Sequence, residues 1–286
     1  MRKILLPLML IFFLGGCAVE DNGGTDQMAA SNPFFEEWDT PFGVPPFDRI
    51  AQTHYEPAIM KGMEEHATEI EAIATSTEAP TFANTIEALD DAGAMLTRVG
   101  NVFGAMNGTM TNDEMQAIAK RIAPLRSKHR DEILLNADLF ARVDAVYRDR
   151  ENLDLDTEQA KLLEEPWKQF VRGGANLSDA DKEKLKTLNE ELSVLSLEFG
   201  ENVLKETNKF EMIVTDEADL AGLPAASIEA AAEAGTKRGH EGAWVFTLHK
   251  PSLIPFLQYS EKRDLREKMW RAYTMVGNNG DERDNK

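Results

Sequence analysis

The chain has 286 residues, 42% hydrophobic and 8% aromatic, enough for one large core or two modest ones. Its 31 Lys and Arg stand against 50 Asp and Glu, a formal charge of -19 that repels phosphate backbones and argues against nucleic acid as a partner. The acidic residues are spread through helix-like segments, so they read as a solvated helical surface.

Residues 1–17 read as an address. Arg2 and Lys3 supply a positive start, and Ile4 to Leu14 is an apolar stretch too short to span a bilayer. Leu14-Gly15-Gly16-Cys17 follows as a small-residue cleavage site. This resembles a bacterial lipoprotein signal, in which Cys17 is acylated and becomes the mature amino terminus. The alternative is an ordinary secretory signal in which Cys17 is incidental. Several acyl chains, at about 0.8 kcal/mol per buried methylene, would anchor the protein firmly to a membrane. No Asp follows the cysteine to suggest inner-membrane retention, so the expected location is the outer membrane facing the periplasm. Residues 18–32, with Asp21, Asn22, Gly23, Gly24 and Ser31, read as a flexible tether. Cys17 is the single cysteine, so no disulfide forms within the chain and stability rests on packing.

From residue 33 to 286 the pattern is mainly helical. Asn32 to Ile50 is rich in Pro and aromatics and reads as an extended segment whose rings wrap a core groove. Thr53-x-x-Glu56 has capping-box spacing and opens a helix with Ile59, Met63, Ala67, Ile70 and Ala74 on one face. Ile86, Leu89, Leu96, Val99 and Phe103 make a second stripe. Thr111-x-x-Glu114 opens a third, with Met115, Ile118, Ile122 and Leu125, and Leu139, Val143, Val146 and Tyr147 form a fourth. Pro124 and Pro166 are expected to end or kink their helices. After the break at Gly173-Gly174, Ser178-x-x-Asp181 opens the longest stripe: Leu185, Leu188, Leu192, Leu195, Phe199 and Val203. Its alternation of three and four predicts the seam of two long helices packed nearly antiparallel, with a dimeric coiled coil as the alternative. Phe210 to Val214 and Trp244 to Leu248 alternate with period two and should pair as a small antiparallel ribbon around the Ala-rich stretch 225–234.

A zinc peptidase needs two imidazoles one helical turn apart and a Glu beside the first. The histidines are His54, His66, His129, His240 and His249, and no pair has that spacing. His240-Glu241 begins the motif, but Gly242-Ala243-Trp244 follows. His240 and His249, which bracket the second strand, are a weaker candidate pair that reads equally as loop residues, and His66 reads as a surface or boundary histidine. There is no G-x-S-x-G elbow and no phosphate-binding Walker run. Glu190 and Glu191, though adjacent, point to different helix faces and cannot share a proton.

Two runs carry a family likeness: Pro80-Thr81-Phe82-Ala83-Asn84-Thr85-Ile86-Glu87-Ala88-Leu89, and the block from Leu162-Leu163-Glu164 through Phe170-Val171-Arg172-Gly173-Gly174-Ala175 to Leu204. Asn136-x-x-Leu139-Phe140-x-Arg142-Val143, Gly222-Leu223-Pro224 and Tyr259-Ser260-x-x-Arg263 support them. In order and spacing these runs resemble the amino-terminal half of the peptidyl-dipeptidase, oligopeptidase A and thimet oligopeptidase family of zinc metallopeptidases. The resemblance implies a mainly α two-lobed ellipsoid split by a deep channel, in which zinc-activated water hydrolyses short peptides. It makes residues 33–286 a non-catalytic wall of that channel, with a minor β-ribbon, and assigns no catalytic or metal-ligating residue to this chain. The expectation is therefore a truncated or fragmentary zinc oligopeptidase, inactive alone, lipid-anchored through Cys17, whose partners are short peptides and a catalytic half in cis or in trans. The competing expectations are a non-catalytic envelope lipoprotein that binds peptides or a partner, and one half of a split peptidase.

Overall fold

Residues 32–286 are described by a computed structural model; the signal, Cys17 and nearly all of the tether lie outside the described residues. The first long helix, α1 (Tyr55–Ala74), buries Tyr55, Ala58, Ile59 and Met63 near its start and Ile70, Ile73 and Ala74 near its end. Ala67, expected on that face, is exposed. Thr53 does not cap it: the chain enters through a 3-10 turn, Gln52–His54, whose imidazole Nδ1 accepts the Ala51 N–H at 3.0 Å. Asn32 to Ile50 is extended between short 3-10 turns. Phe34 is fully buried and Trp38 packs beside it, but Phe42 and Phe47 project into solvent, so only some of the rings wrap the core.

The second stripe is interrupted. A π-helical turn, Phe82–Glu87, runs into a short turn, Ala88–Asp91, and the chain then bends at Gly93, whose φ of +75° favours glycine. Helix α2 (Ala94–Thr109) follows, burying Val99, Val102 and Phe103. Helix α3 (Asp113–Leu134) is capped by Asn112, which accepts the Met115 N–H at 3.0 Å, one residue later than the Thr111 spacing suggested. Met115, Ile118 and Ile122 are buried, whereas Leu125 faces out. Helices α4 (Ala137–Arg148) and α5 (Thr157–Arg172) begin at Asn136 and Asp156, each accepting an N–H three residues on. Of the two expected effects of Pro124 and Pro166, termination does not occur: α3 and α5 each run on through the proline. The local cost of a missing hydrogen bond is outweighed by buried residues on both sides of the proline, such as Ile122 and His129 in α3 and Leu163 and Phe170 in α5.

Helix α6 (Asp179–Lys209) starts at Ser178 as expected, its side chain accepting the Asp181 N–H. It runs antiparallel to α3, for Lys182 reaches the Leu135 carbonyl, Asn189 the Asp131 carboxylate and Lys120 the Glu201 carboxylate. The packed face differs from the expected one. Leu185 and Val203 are half-buried, but Leu188, Leu192, Leu195 and Phe199 are each more than half exposed. The face turned to α3 carries Asn189, Leu197 and Glu201 instead.

Strands β1 (Met212–Val214) and β2 (Trp244–Phe246) pair antiparallel, as expected, and the register sets Met212 opposite Phe246. Helix α7 (Ala225–Lys237) packs on β2, and α8 (Lys250–Tyr259) and α9 (Arg263–Thr274) close this C-terminal unit. Three apolar clusters result. One joins the start of α1 with α2 and α3, the second joins the end of α1 with α4 and α5, and the third fills the ribbon unit with Met212, Phe246, Phe256 and Met269.

The run from Pro80 to Leu89 is a structural device. Thr81 and Asn84 cap reciprocally, the Thr81 N–H donating to Asn84 Oδ1 at 2.8 Å and the Asn84 N–H to Thr81 Oγ1 at 3.1 Å. Arg142, buried on α4, donates to the carbonyls of Ser76 and Glu78 at 3.0 and 2.9 Å and to Asn84 Oδ1 at 3.2 Å. One guanidinium thus pins the loop that leaves α1. Arg142→Met should lower unfolding stability by about 2 kcal/mol, because two part-buried carbonyls lose their donor, and Arg142→Lys should recover only part of that. Denaturant titration of both variants checks it; a loss below about 1 kcal/mol would show the loop is held by other contacts.

Candidate functional site

A concavity of about 700 Å³ lies between α3 and α6, with the end of α5 closing one side. Leu96, Leu134 and Leu185 line it together with Arg126, Arg130, Arg172, Gln169, Ser193 and Ser196. Asp131, Asn189, His66 and His129 also line it.

His66 and His129, 63 residues apart, meet here. His129 Nε2 lies 3.0 Å from His66 Nδ1, and the rings are nearly perpendicular, at 61° with centroids 5.0 Å apart. Neutral imidazoles bonded this way use one N–H and one lone pair. Sequence periodicity held a signal for the pair: His66 stands in the apolar slot of α1 between Met63 and Ile70, and His129 in the slot of α3 after Ile122. Residues in those slots point inward. Burial pushes both rings below the usual imidazole value, with His129 adding to the effect on His66, while Glu69 and Glu132 pull the other way on His66 and His129 respectively. Gly93 packs on His66 so tightly that a Cβ there would lie 2.9 Å from the ring, and the Gly93 N–H donates to Glu69 at 2.6 Å. Asp131 accepts from Asn189 at 2.7 Å, and burial raises its carboxyl above the ordinary range.

The other histidines go elsewhere. His240 Nε2 is 3.0 Å from Glu211, which also holds Arg238 at 2.7 Å, and His249 precedes α8 beside Ser252. His240 thus has a carboxylate partner. Gly173 and Gly174 end α5, Gly174 at a φ of +100°.

A hydrolytic zinc takes three protein ligands and a water. Among the described residues no group of three or more His, Cys, Asp or Glu side chains is placed to hold a metal ion, and the donor set at His66 and His129 does not fit such a centre.

Folding favours the neutral rings of His66 and His129, so below the ordinary value of 6.5 the unfolded chain binds more protons than the folded one. Stability is therefore full above that value and is lost as pH falls through it toward the depressed folded values. The denaturation midpoint should drop between about pH 7 and pH 5, and the double substitution His66→Gln with His129→Gln should flatten that drop. An equal drop in the double variant would place the titration elsewhere.

No protein-family model matches the chain. Individual proteins do. The dipeptidyl carboxypeptidase of Escherichia coli (strain K12) is 40% identical over 245 residues, 86% of this chain and 36% of that protein. Oligopeptidase A of Haemophilus influenzae is 30% identical over 246 residues, 86% of this chain and 35% of that protein. The organellar oligopeptidase A of Arabidopsis thaliana is 29% identical over 263 residues, 90% of this chain and 33% of that protein. The chain spans about a third of the length of these curated relatives. Over most of its length the chain is thus similar, at 25–40% identity, to dipeptidyl carboxypeptidases and oligopeptidases A.

Proposed function

We propose that the chain contributes a helical, substrate-enclosing wall to a peptidase of the oligopeptidase type, which cleaves short peptides with zinc supplied by ligands outside residues 32–286. The observation that carries this reading is the 40% identity to a dipeptidyl carboxypeptidase across 86% of the chain. The exposed row Leu188, Leu192, Leu195 and Phe199 on α6 supports it. Apolar side chains spaced along one helix face are a seam for a packing partner, and the natural partner is the remainder of such an enzyme. The residues that identify the family, from Pro80 to Leu89 and around Asn136 to Val143, set caps and core contacts in this structure. They build the wall; none of them needs to touch substrate.

The role of this chain's own residues would be to exclude water and bulk from a peptide path and to present polar groups along it. Arg126, Arg130 and Arg172 offer fixed positive charge, and Asn189, Gln169 and Ser196 offer neutral hydrogen bonds. The full chain, incubated with zinc and internally quenched peptides, should show no turnover. Turnover that depends on zinc bound to this chain in a one-to-one ratio would overturn the reading.

The location follows from the Leu14-Gly15-Gly16-Cys17 run, which supports an acylated Cys17 and an outer-membrane anchor facing the periplasm. Growth with a clickable fatty acid should label the wild-type chain and leave Cys17→Ser unlabelled. Absence of label on the wild type would remove the anchor from the proposal.

A further inference from the structure

We propose that His66 and His129 form a two-imidazole clamp for a divalent d-block cation, with solvent in the cleft completing its coordination. This is a site apart from the hydrolytic zinc discussed above, and it needs no third protein ligand.

The geometry is close to what a metal requires. Two imidazole nitrogens bound to one tetrahedral ion at 2.0–2.1 Å would stand about 3.3 Å apart. His66 Nδ1 and His129 Nε2 are 3.0 Å apart already, on separate helices that pack together. Opening the pair by a few tenths of an ångström and turning each ring by roughly 35° would bring both lone pairs to one point. The proton between the rings moves to the outer nitrogen of the ring that carries it, so a neutral pair binds the cation without net release of a proton. Both rings favour the neutral form, which is the ligating form.

Surroundings matter as much as the donors. Gly93 lies against the Cγ and Nδ1 edge of His66, so the ring has little room to swing away. The charged neighbours that act on the rings are anionic, Glu69 on α1 and Glu132 on α3, and both favour positive charge there. Arg126, Arg130 and Arg172 line the same cleft, Arg126 one helical turn before His129, but all three are exposed, so solvent and salt screen their repulsion, and Asp131 opposes them. The cleft of about 700 Å³ leaves space for the waters that complete the shell.

The full wild-type chain gives the first test. Substoichiometric Cu2+ should broaden the ring resonances of His66 and His129 before those of His54, His240 and His249; broadening of the latter three first would overturn the proposal. Calorimetric titration with Ni2+ gives the second. His66→Gln with His129→Gln should weaken the tightest binding at least tenfold, whereas His240→Gln should leave it unchanged. Unchanged affinity in the double variant, with its fold verified by circular dichroism, would overturn the proposal.

Discussion

One helix, α1, belongs to two cores. Its first half packs Ile59 and Met63 against α2 and α3, and its second half packs Ile70 and Ile73 against α4 and the π-helical turn. An amphipathic helix of 20 residues presents only one stripe, so the two clusters lie end to end along it. Everything that follows α1 must then be set at a fixed height on that stripe. Arg142 enforces this at the far end by holding the exit loop through its carbonyls, and His66 sits near the middle, where the two clusters meet.

Most of the helices were legible because their apolar residues recur at three and four. The ribbon was legible because the period changes to two at Phe210 and Trp244. Caps were less so: Thr111 has the right spacing from Glu114, yet Asn112 takes the work, since competing side chains one residue apart differ only in backbone angle, and Thr53 gives way to a 3-10 turn after which no side chain caps α1. Whether a proline ends its helix was hidden for a related reason. Its local penalty can be read from sequence, but the tertiary packing that outweighs it cannot. Phe42 and Phe47 looked like core residues by composition and lie in solvent, as nothing in a Pro-rich segment fixes which side faces inward.

The site followed the same rule. Spacing along the chain finds ligands that share one helical turn, and no two histidines here do. The pair that does meet joins helices whose order in space is set by the whole bundle, so the clue lay in register: each histidine occupies a slot its helix otherwise fills with apolar residues. Reading His66 as a boundary residue was right about exposure and blind to its partner. The α6 seam shows the opposite case. Its period is plain in sequence, but a period says only that some surface will cover the stripe, and α3 covers the neighbouring face.

The length of α6 has a mechanical side. At 1.5 Å per residue its 31 residues extend about 46 Å, with hydrogen bonds to α3 near its start and to the terminal loop near its end, through Glu206 to Gly277 and Asn202 to Asn285 at 3.0 Å. Such a rod bends little under thermal force. A tilt imposed where it meets the ribbon unit is carried along the rod and loads the hydrogen bonds of Lys182 and Asn189 at the edge of the concavity.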